Sequence, residues 1–296
     1  MSLVDDFEAE RPRLLSVAYR LTGSVADAED AVQESWLRLS GQDATIENLQ
    51  AWLTRVVSRL CLDRLGSAAR RRETYVGQWL PEPLVRPLEH TAPDPVDVVV
   101  RDEAVRFGAL VVLDRLTPPQ RVAFVLHDGF GVPYDEIAEV LGIETAAARQ
   151  HASRGRRAAA AAPEPVPDAE HDAAVGRLVE ALLLGDLDAV VAALHPDVVA
   201  VGDANGTTST ALNTVSGREK VARFYLGLVA KHGTERLGGL SLVRVNGQLG
   251  IHTPGWQGAD RRSSSPSRVV ALTVRDGLVA ATFDVANPEK LGGVRL

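Results

Sequence analysis

Residues 113–157 carry an apolar pattern at helical spacing broken by one short turn. Tyr134, Ile137, Ala138 and Leu141 recur at i, i+3, i+4 and i+7, which makes one apolar helix face. Gly142 follows, where a tight turn needs positive φ. Glu144 or Thr145 is placed to cap a second helix, and Ala146, Ala147, Ala148 and Ala152 give it high propensity and a slim packing face. The pattern predicts a helix-turn-helix.

Upstream, residues 3–75 read as helix throughout. Phe7, Leu14, Leu15, Ala18 and Leu21 form a first stripe, and Thr22-Gly23-Ser24 ends it and caps the next helix. A second helix over 25–39 turns Ala28, Val32, Trp36 and Leu39 inward. A third packs Trp52, Leu53, Val56, Val57, Leu60 and Leu65 after a polar loop at 40–48. Residues 79–97, WLPEPLVRPLEHTAPDPVD, hold too many prolines for a helix and predict an extended spacer. At about 3.1 Å per residue it reaches roughly 60 Å. Helix resumes over 98–116, with Val105, Leu110, Leu113 and Leu116 inward. Thr117 and Pro118 then start another, which Gly129 and Gly131 end.

Beyond the alanine run at 158–162 and the PEPVPD break, the period changes. Helices are expected at 173–184, 187–194 and 218–231. Strands are expected at 198–202, 240–245, 249–252, 269–275 and 278–284, with Asn246-Gly247 and Asp276-Gly277 as hairpin turns. Helices on a curved antiparallel sheet make an α+β cone. The expected architecture is therefore multidomain: an all-α domain at 1–78, a proline-rich linker at 79–97, an all-α helix-turn-helix domain at 98–162, a linker at 163–169 and an α+β domain at 170–296.

Charge sharpens this picture. The chain has 296 residues and a formal charge of -7, yet the second helix of the helix-turn-helix sets Arg149, Arg154, Arg156 and Arg157 against Glu144 alone, a balance of +3. A basic helix on an acidic protein suggests a phosphate partner. Ala147, Arg149 and Gln150 are placed to meet base edges, and Arg154, Arg156 and Arg157 to meet phosphates. The alternative is a helical bundle whose arginines sit in water. A second basic run sets Arg55, Arg59, Arg64, Arg70, Arg71 and Arg72 against Asp63 and Glu73. The single cysteine, Cys61, sits in an apolar helical run and reads as a buried structural thiol. An acidic amino terminus, and apolar runs short of the ~18 residues that span a bilayer, predict a cytoplasmic protein with no membrane partner.

Three segments in order, DAEDAVQESWLRL, AWLTRVVSRLCLDRL and LDRLTPPQRVAFVLHDGFGVPYDEIAEVLG, resemble the two domains of extracytoplasmic-function sigma factors of bacterial RNA polymerase. The resemblance implies two partners, core polymerase and promoter DNA, and requires no cofactor, metal or catalysis. It places Asp30, Gln33 and Glu34 on the face that docks on the polymerase clamp. It assigns capture of a flipped minus-ten base to the loop at 40–49, and puts Arg55, Arg59 and Arg64 on the helix facing minus-ten DNA. Arg59 stands where most relatives have Asn, so the minus-ten preference does not carry across.

The order of elements after residue 170 resembles the SnoaL-like division of the nuclear-transport-factor-2-like fold. WLPEPL at 79–84, DANGT at 203–207 and NPEKL at 287–291 resemble sigma factors with a fused domain of that kind, in which it acts in place of a separate anti-sigma protein. The resemblance implies an interdomain regulatory contact made by Trp79, Leu80, Pro81, Pro83, Leu84, Asp203, Asn205, Gly206, Asn287, Pro288, Lys290 and Leu291. The 203–207 turn has Ala204 and Asn205 where relatives are richer in glycine. A cone of this fold also suits a small-molecule ligand. Two rival readings stay open at this level. One is a ligand-responsive one-component regulator; the other is an enzyme using His195, Asp203, His252 or Asp284 to move a proton.

Overall fold

The computed structural model describes residues 2–296 except 43–45, 73–74, 90–104, 161, 163, 208–209, 233–238, 257–264, 293 and 295–296, with backbone alone at 68–72 and 232. Part of the 40–49 loop, the linker beyond 89, the expected helix start at 98–104 and the side chains of Arg70, Arg71 and Arg72 therefore lie outside the described residues. The chain forms two compact units. One comprises 1–73, 92–105 and 109–162, and the other 74–91, 106–108 and 163–296.

The first unit is helical. Helix α1 (Leu3–Thr22) starts at a reciprocal cap, with the Asp5 amide donating to Ser2 Oγ at 3.2 Å and the Ser2 amide donating to Asp5 Oδ2 at 2.9 Å. Gly23 closes it at φ 69°, and Ser24 caps α2 (Val25–Ser40) by accepting from the Asp27 amide. With α3 (Leu49–Arg72) these helices bury Leu14, Leu21, Val32, Leu39, Leu53 and Val57. Cys61 is wholly buried there, and desolvation pushes its thiol up to about 12. Trp36 and Trp52 are half-buried at the margin rather than central.

After α4 (Phe107–Asp114), α5 (Pro118–Phe124) runs into a π-helical turn (Val125–Gly129). Helices α6 (Tyr134–Leu141) and α7 (Thr145–Ala159) follow, separated by Gly142 at φ 66°. The α7 face is slim for a reason: a Cβ on Gly155 would stand 2.6 Å from that of Phe124, so glycine is what lets α7 close onto α5. Arg121, 1% exposed, donates Nε–H to the Arg20 carbonyl at 3.0 Å and Nη1–H to Asp114 at 2.9 Å. That pairing ties α5 to the carboxy-terminal end of α1.

The second unit is a seven-stranded sheet with helices. Helices α8 (Asp168–Leu184) and α9 (Leu187–Ala193) lead into β2 (Leu194–Asp203) and β3 (Val215–Ser216); then come α10 (Arg218–His232), β4 (Ser241–Val245), β5 (Gln248–Thr253), β6 (Arg268–Arg275) and β7 (Leu278–Val285). Leu178, Val190, Val221, Leu272 and Val279 centre its core. Asn246 and Asp276 take positive φ before glycines, as two-residue hairpins require.

Two features differ from expectation. The sheet is mixed, because β2 and β7 are parallel while the other pairs are antiparallel. Helix α10 carries the chain across to the far side of the sheet, and the reversals from β4 to β7 bring it back alongside β2 in the same direction. The proline-rich spacer, moreover, is not merely extended coil. Its Val85–Pro87 segment forms β1 and pairs with β4, giving the order β1-β4-β5-β6-β7-β2-β3. Proline demotes a strand on sequence grounds, but Pro87 lies on an edge strand, where one missing N–H is tolerated.

Candidate functional site

In the first unit, α7 exposes Arg149, Gln150, Arg154, Arg156 and Arg157, while Ala147 is half-buried and Ala148 and Ala152 pack inward. The arginines are not equivalent. Arg156 makes a bidentate pair with Asp128 of the π turn, at 2.6 and 3.0 Å, and its pKa is raised chiefly by that bond. Arg149 lies 5.6 Å from the Tyr134 ring, which stacks on His127 at 3.9 Å.

Helix α3 shows a similar division. Arg55 Nη1 meets the Glu139 carboxylate at 3.1 Å, and Arg59 Nη2 donates to the Glu139 carbonyl at 2.7 Å, so both reach the first helix of the helix-turn-helix. Arg64 leans toward Asp27 at 3.7 Å and Asp30 at 3.9 Å. Asp30 and Gln33 are exposed on α2, and half-buried Glu34 pairs with Arg38 at 3.0 Å. Sequence reasoning did not single out Glu139, because a lone glutamate on an amphipathic helix reads as solvated.

In the second unit the residues at 79–84, 203–206 and 287–291 are brought together around one buried carboxylate. Asp203 is fully buried. Its Oδ2 accepts from the Leu80 amide at 2.7 Å and from Lys290 Nζ at 2.6 Å, and its Oδ1 accepts from the Tyr75 hydroxyl. Lys290 also donates to the Leu80 carbonyl, and its ammonium lies 3.4 Å from the Trp79 ring centre. Thus one residue of the linker, Leu80, is held at both its N–H and its C=O by an ion pair from the carboxy-terminal domain. Asn287 donates to the Tyr75 hydroxyl at 3.0 Å and caps the short 3₁₀ turn Pro288–Lys290, which aims the lysine. Desolvation, then the bond to Asp203, drives the Tyr75 phenol's pKa up, so it stays protonated and donates.

Alongside, Leu80, Leu84 and Val85 are buried, as are Pro81 and Pro83. The prolines present no N–H, which suits burial of an extended segment. Leu84 exchanges two bonds with Asn246, its amide donating to Oδ1 at 3.1 Å and its carbonyl accepting the Asn246 amide at 2.8 Å. Asn205 and Gly206 take φ of 46° and 67°, and a Cβ on Gly206 would stand 3.2 Å from Val76. Leu291 follows the lysine at the end of the short turn. Tyr75 and Asn246 were not legible as members of this site. The tyrosine lies just past a basic helix end, and Asn246 already serves a hairpin turn.

The four residues considered for proton transfer do not converge. His195 faces Arg275 at 2.9 Å near the start of β2, His252 bonds Ser267 Oγ at 3.0 Å, and Asp203 is taken up by the linker. Asp284 lines a cavity in the second unit.

Residues 7–71 match the Sigma-70 region 2 family and residues 109–158 match Sigma-70, region 4. The ECF RNA polymerase sigma factor SigJ of Mycobacterium tuberculosis is 56% identical over 293 residues, 98% of this chain and 93% of that protein. The probable ECF RNA polymerase sigma factor SigI of the same species is 38% identical over 206 residues, 67% of this chain and 69% of that protein. The crystal structure of M. tuberculosis SigJ matches with a TM-score of 0.85 at 54% identity, covering 99% of both chains. Two helical sigma regions followed by a β-rich SnoaL-like domain, alike over nearly the full length to SigJ, place the chain in the family of extracytoplasmic-function RNA polymerase sigma factors.

Proposed function

We propose that this sigma factor directs core RNA polymerase, in the cytoplasm, to promoters with minus-ten and minus-thirty-five elements, and that its SnoaL-like domain regulates it in cis by holding the linker. Asp30, Gln33 and Glu34 meet the polymerase. Arg55, Arg59 and Arg64 face minus-ten DNA, while Ala147, Arg149 and Gln150 read bases and Arg154, Arg156 and Arg157 hold phosphates at minus-thirty-five. The cone works as a regulatory domain that accepts a small molecule, not as a catalyst.

The observation that carries the regulatory reading is the Asp203–Lys290 pair closed on the Leu80 peptide. Promoter binding and polymerase docking need a linker free to follow the enzyme. A linker bonded along its backbone, with Leu80 and Leu84 buried, is held. A grip of about 2–3 kcal/mol leaves the released form at roughly 1–3%, so that polymerase binding itself drives release. The bonds from Arg55 and Arg59 to Glu139 support the same reading, since those guanidinium groups must leave Glu139 to reach DNA.

Run-off transcription with bacterial core polymerase tests this, using full-length protein and a version ending at Pro163 on the promoter of its own gene. Core-dependent transcripts whose yield differs between the two forms are expected. Equal yields overturn regulation in cis, and polymerase-free duplex binding with no transcripts overturns promoter targeting.

A further inference from the structure

The second unit has a pocket of about 160 Å³, open to solvent on one side, between α8, α10 and one face of the sheet. Leu178, Leu182, Leu228, Ile251, Val270 and Leu272 are among the apolar residues that line it. An apolar void of about 150 Å³ holds a benzene ring. The placement follows from strand periodicity: Arg268, Val270 and Leu272 alternate onto one face of β6, and Thr282 and Asp284 onto the same face of β7, with Val270 directly opposite Asp284.

The polar groups of this wall are nearly all committed. The Tyr225 hydroxyl shares a hydrogen bond of 2.5 Å with Thr282 Oγ1. Asp284, 7% exposed, accepts on Oδ2 from Arg268 Nη1 and from Thr210 Oγ1 at 3.4 Å. Asp284 Oδ1 is buried with no hydrogen-bond partner among the described residues. An unmet buried acceptor is costly, and the group that meets it recovers that cost. Burial raises the Asp284 pKa, and the Arg268 charge opposes the rise; in the ionised form Oδ1 is an acceptor only.

We propose that this cavity is a binding site for a small neutral molecule, a single ring or short apolar chain bearing one hydroxyl that donates to Asp284 Oδ1. The charge balance selects neutrality. Arg268 already offsets the carboxylate, so a ligand cation gains little attraction while losing its hydration in apolar walls, and a ligand anion meets the free oxygen with repulsion. An unsubstituted hydrocarbon fills the space and leaves Oδ1 unmet. The proposal deepens, and rests on, the reading of the cone as a ligand-accepting regulatory domain.

The test is ¹⁹F NMR titration of full-length protein with 4-fluorophenol and, separately, 4-fluorotoluene. Neither polymerase nor DNA is present, so the result is independent of whether linker regulation holds in the run-off assay. Saturable binding of 4-fluorophenol at least about tenfold tighter than 4-fluorotoluene is expected, with Asp284→Asn narrowing the preference to less than about threefold. Asp284→Asn also disturbs Arg268, so Leu228→Trp, which fills the cavity from a half-buried position on α10, serves as the second variant and abolishes binding of both probes. No binding of either probe to the unmutated protein, equal affinities, or phenol binding that survives Leu228→Trp overturns the proposal.

Discussion

Lys290 donates to Asp203 at 2.6 Å across 87 residues of sequence, with side chains only 8% and 0% exposed, and each partner also bonds a backbone group of Leu80. A buried ion pair of this kind contributes little net stability compared with apolar packing, but removing one partner strands a charge at a cost of about 3–5 kcal/mol. Lys290→Met therefore destabilises the grip far more than its lost surface area implies. Amide hydrogen exchange at Leu80 and Leu84 is the direct measure. Exchange at both sites at least tenfold faster is expected, and unchanged protection sinks the account.

Trp79 packs under the same ammonium and edge-on to Tyr75, with ring centres 4.8 Å apart. A desolvated cation–π contact contributes about 2 kcal/mol and an aromatic pair roughly 0.5–1.5 kcal/mol. Trp79→Ala is expected to expose the linker to limited proteolysis near residue 80. Trp79→Phe, which keeps the ring, should show a smaller effect, and equal cleavage of the two variants counts against the cation–π contribution.

Gly206→Ala puts a side chain at φ 67° and a methyl 3.2 Å from Val76. Positive φ costs a non-glycine residue on the order of 1 kcal/mol before any clash. The melting temperature should fall by a few degrees. Gly277→Ala has the same φ of 67° but open space around it, and so reports the backbone cost alone.

The arginines of α7 should separate by salt dependence. Arg154→Ala removes an exposed guanidinium and is expected to lower the salt slope of promoter binding by about 1. Arg156→Ala breaks the pair with Asp128 first, so its main effect is on how α7 is seated. Gln150→Ala should cost about 1–3 kcal/mol at the minus-thirty-five element and relax preference at one position, measured by binding to single-substituted duplexes.

His171 is fully buried on α8, with Nε2 against the Leu272 carbonyl at 3.1 Å, and desolvation lowers its pKa. Above the ordinary imidazole value near 6.5 both folded and unfolded states are neutral, and nothing is lost. Below it the unfolded chain takes up a proton that the folded chain refuses, so stability falls as pH drops. Thermal melts from pH 7.5 to 5.5 should show this decline, and His171→Gln should flatten it.

What the sequence determined is local. The 3.6-residue period, Ser24 as a cap, Gly142 in the helix-turn-helix and the Asn-Gly and Asp-Gly hairpins each depend on a few adjacent side chains and backbone angles, so composition and spacing suffice to read them. The family motifs were legible for the same reason, being contiguous strings. Tertiary structure alone decided that Val85–Pro87 joins a sheet whose other strands begin more than 100 residues later, and that Tyr75 and Asn246 complete the linker site. It also decided that Arg156 pairs with Asp128 and Arg55 with Glu139. Each of these pairings rests on burial and on backbone groups brought together from distant segments, and a side chain's charge does not reveal whether its partner is water, DNA or another part of its own chain.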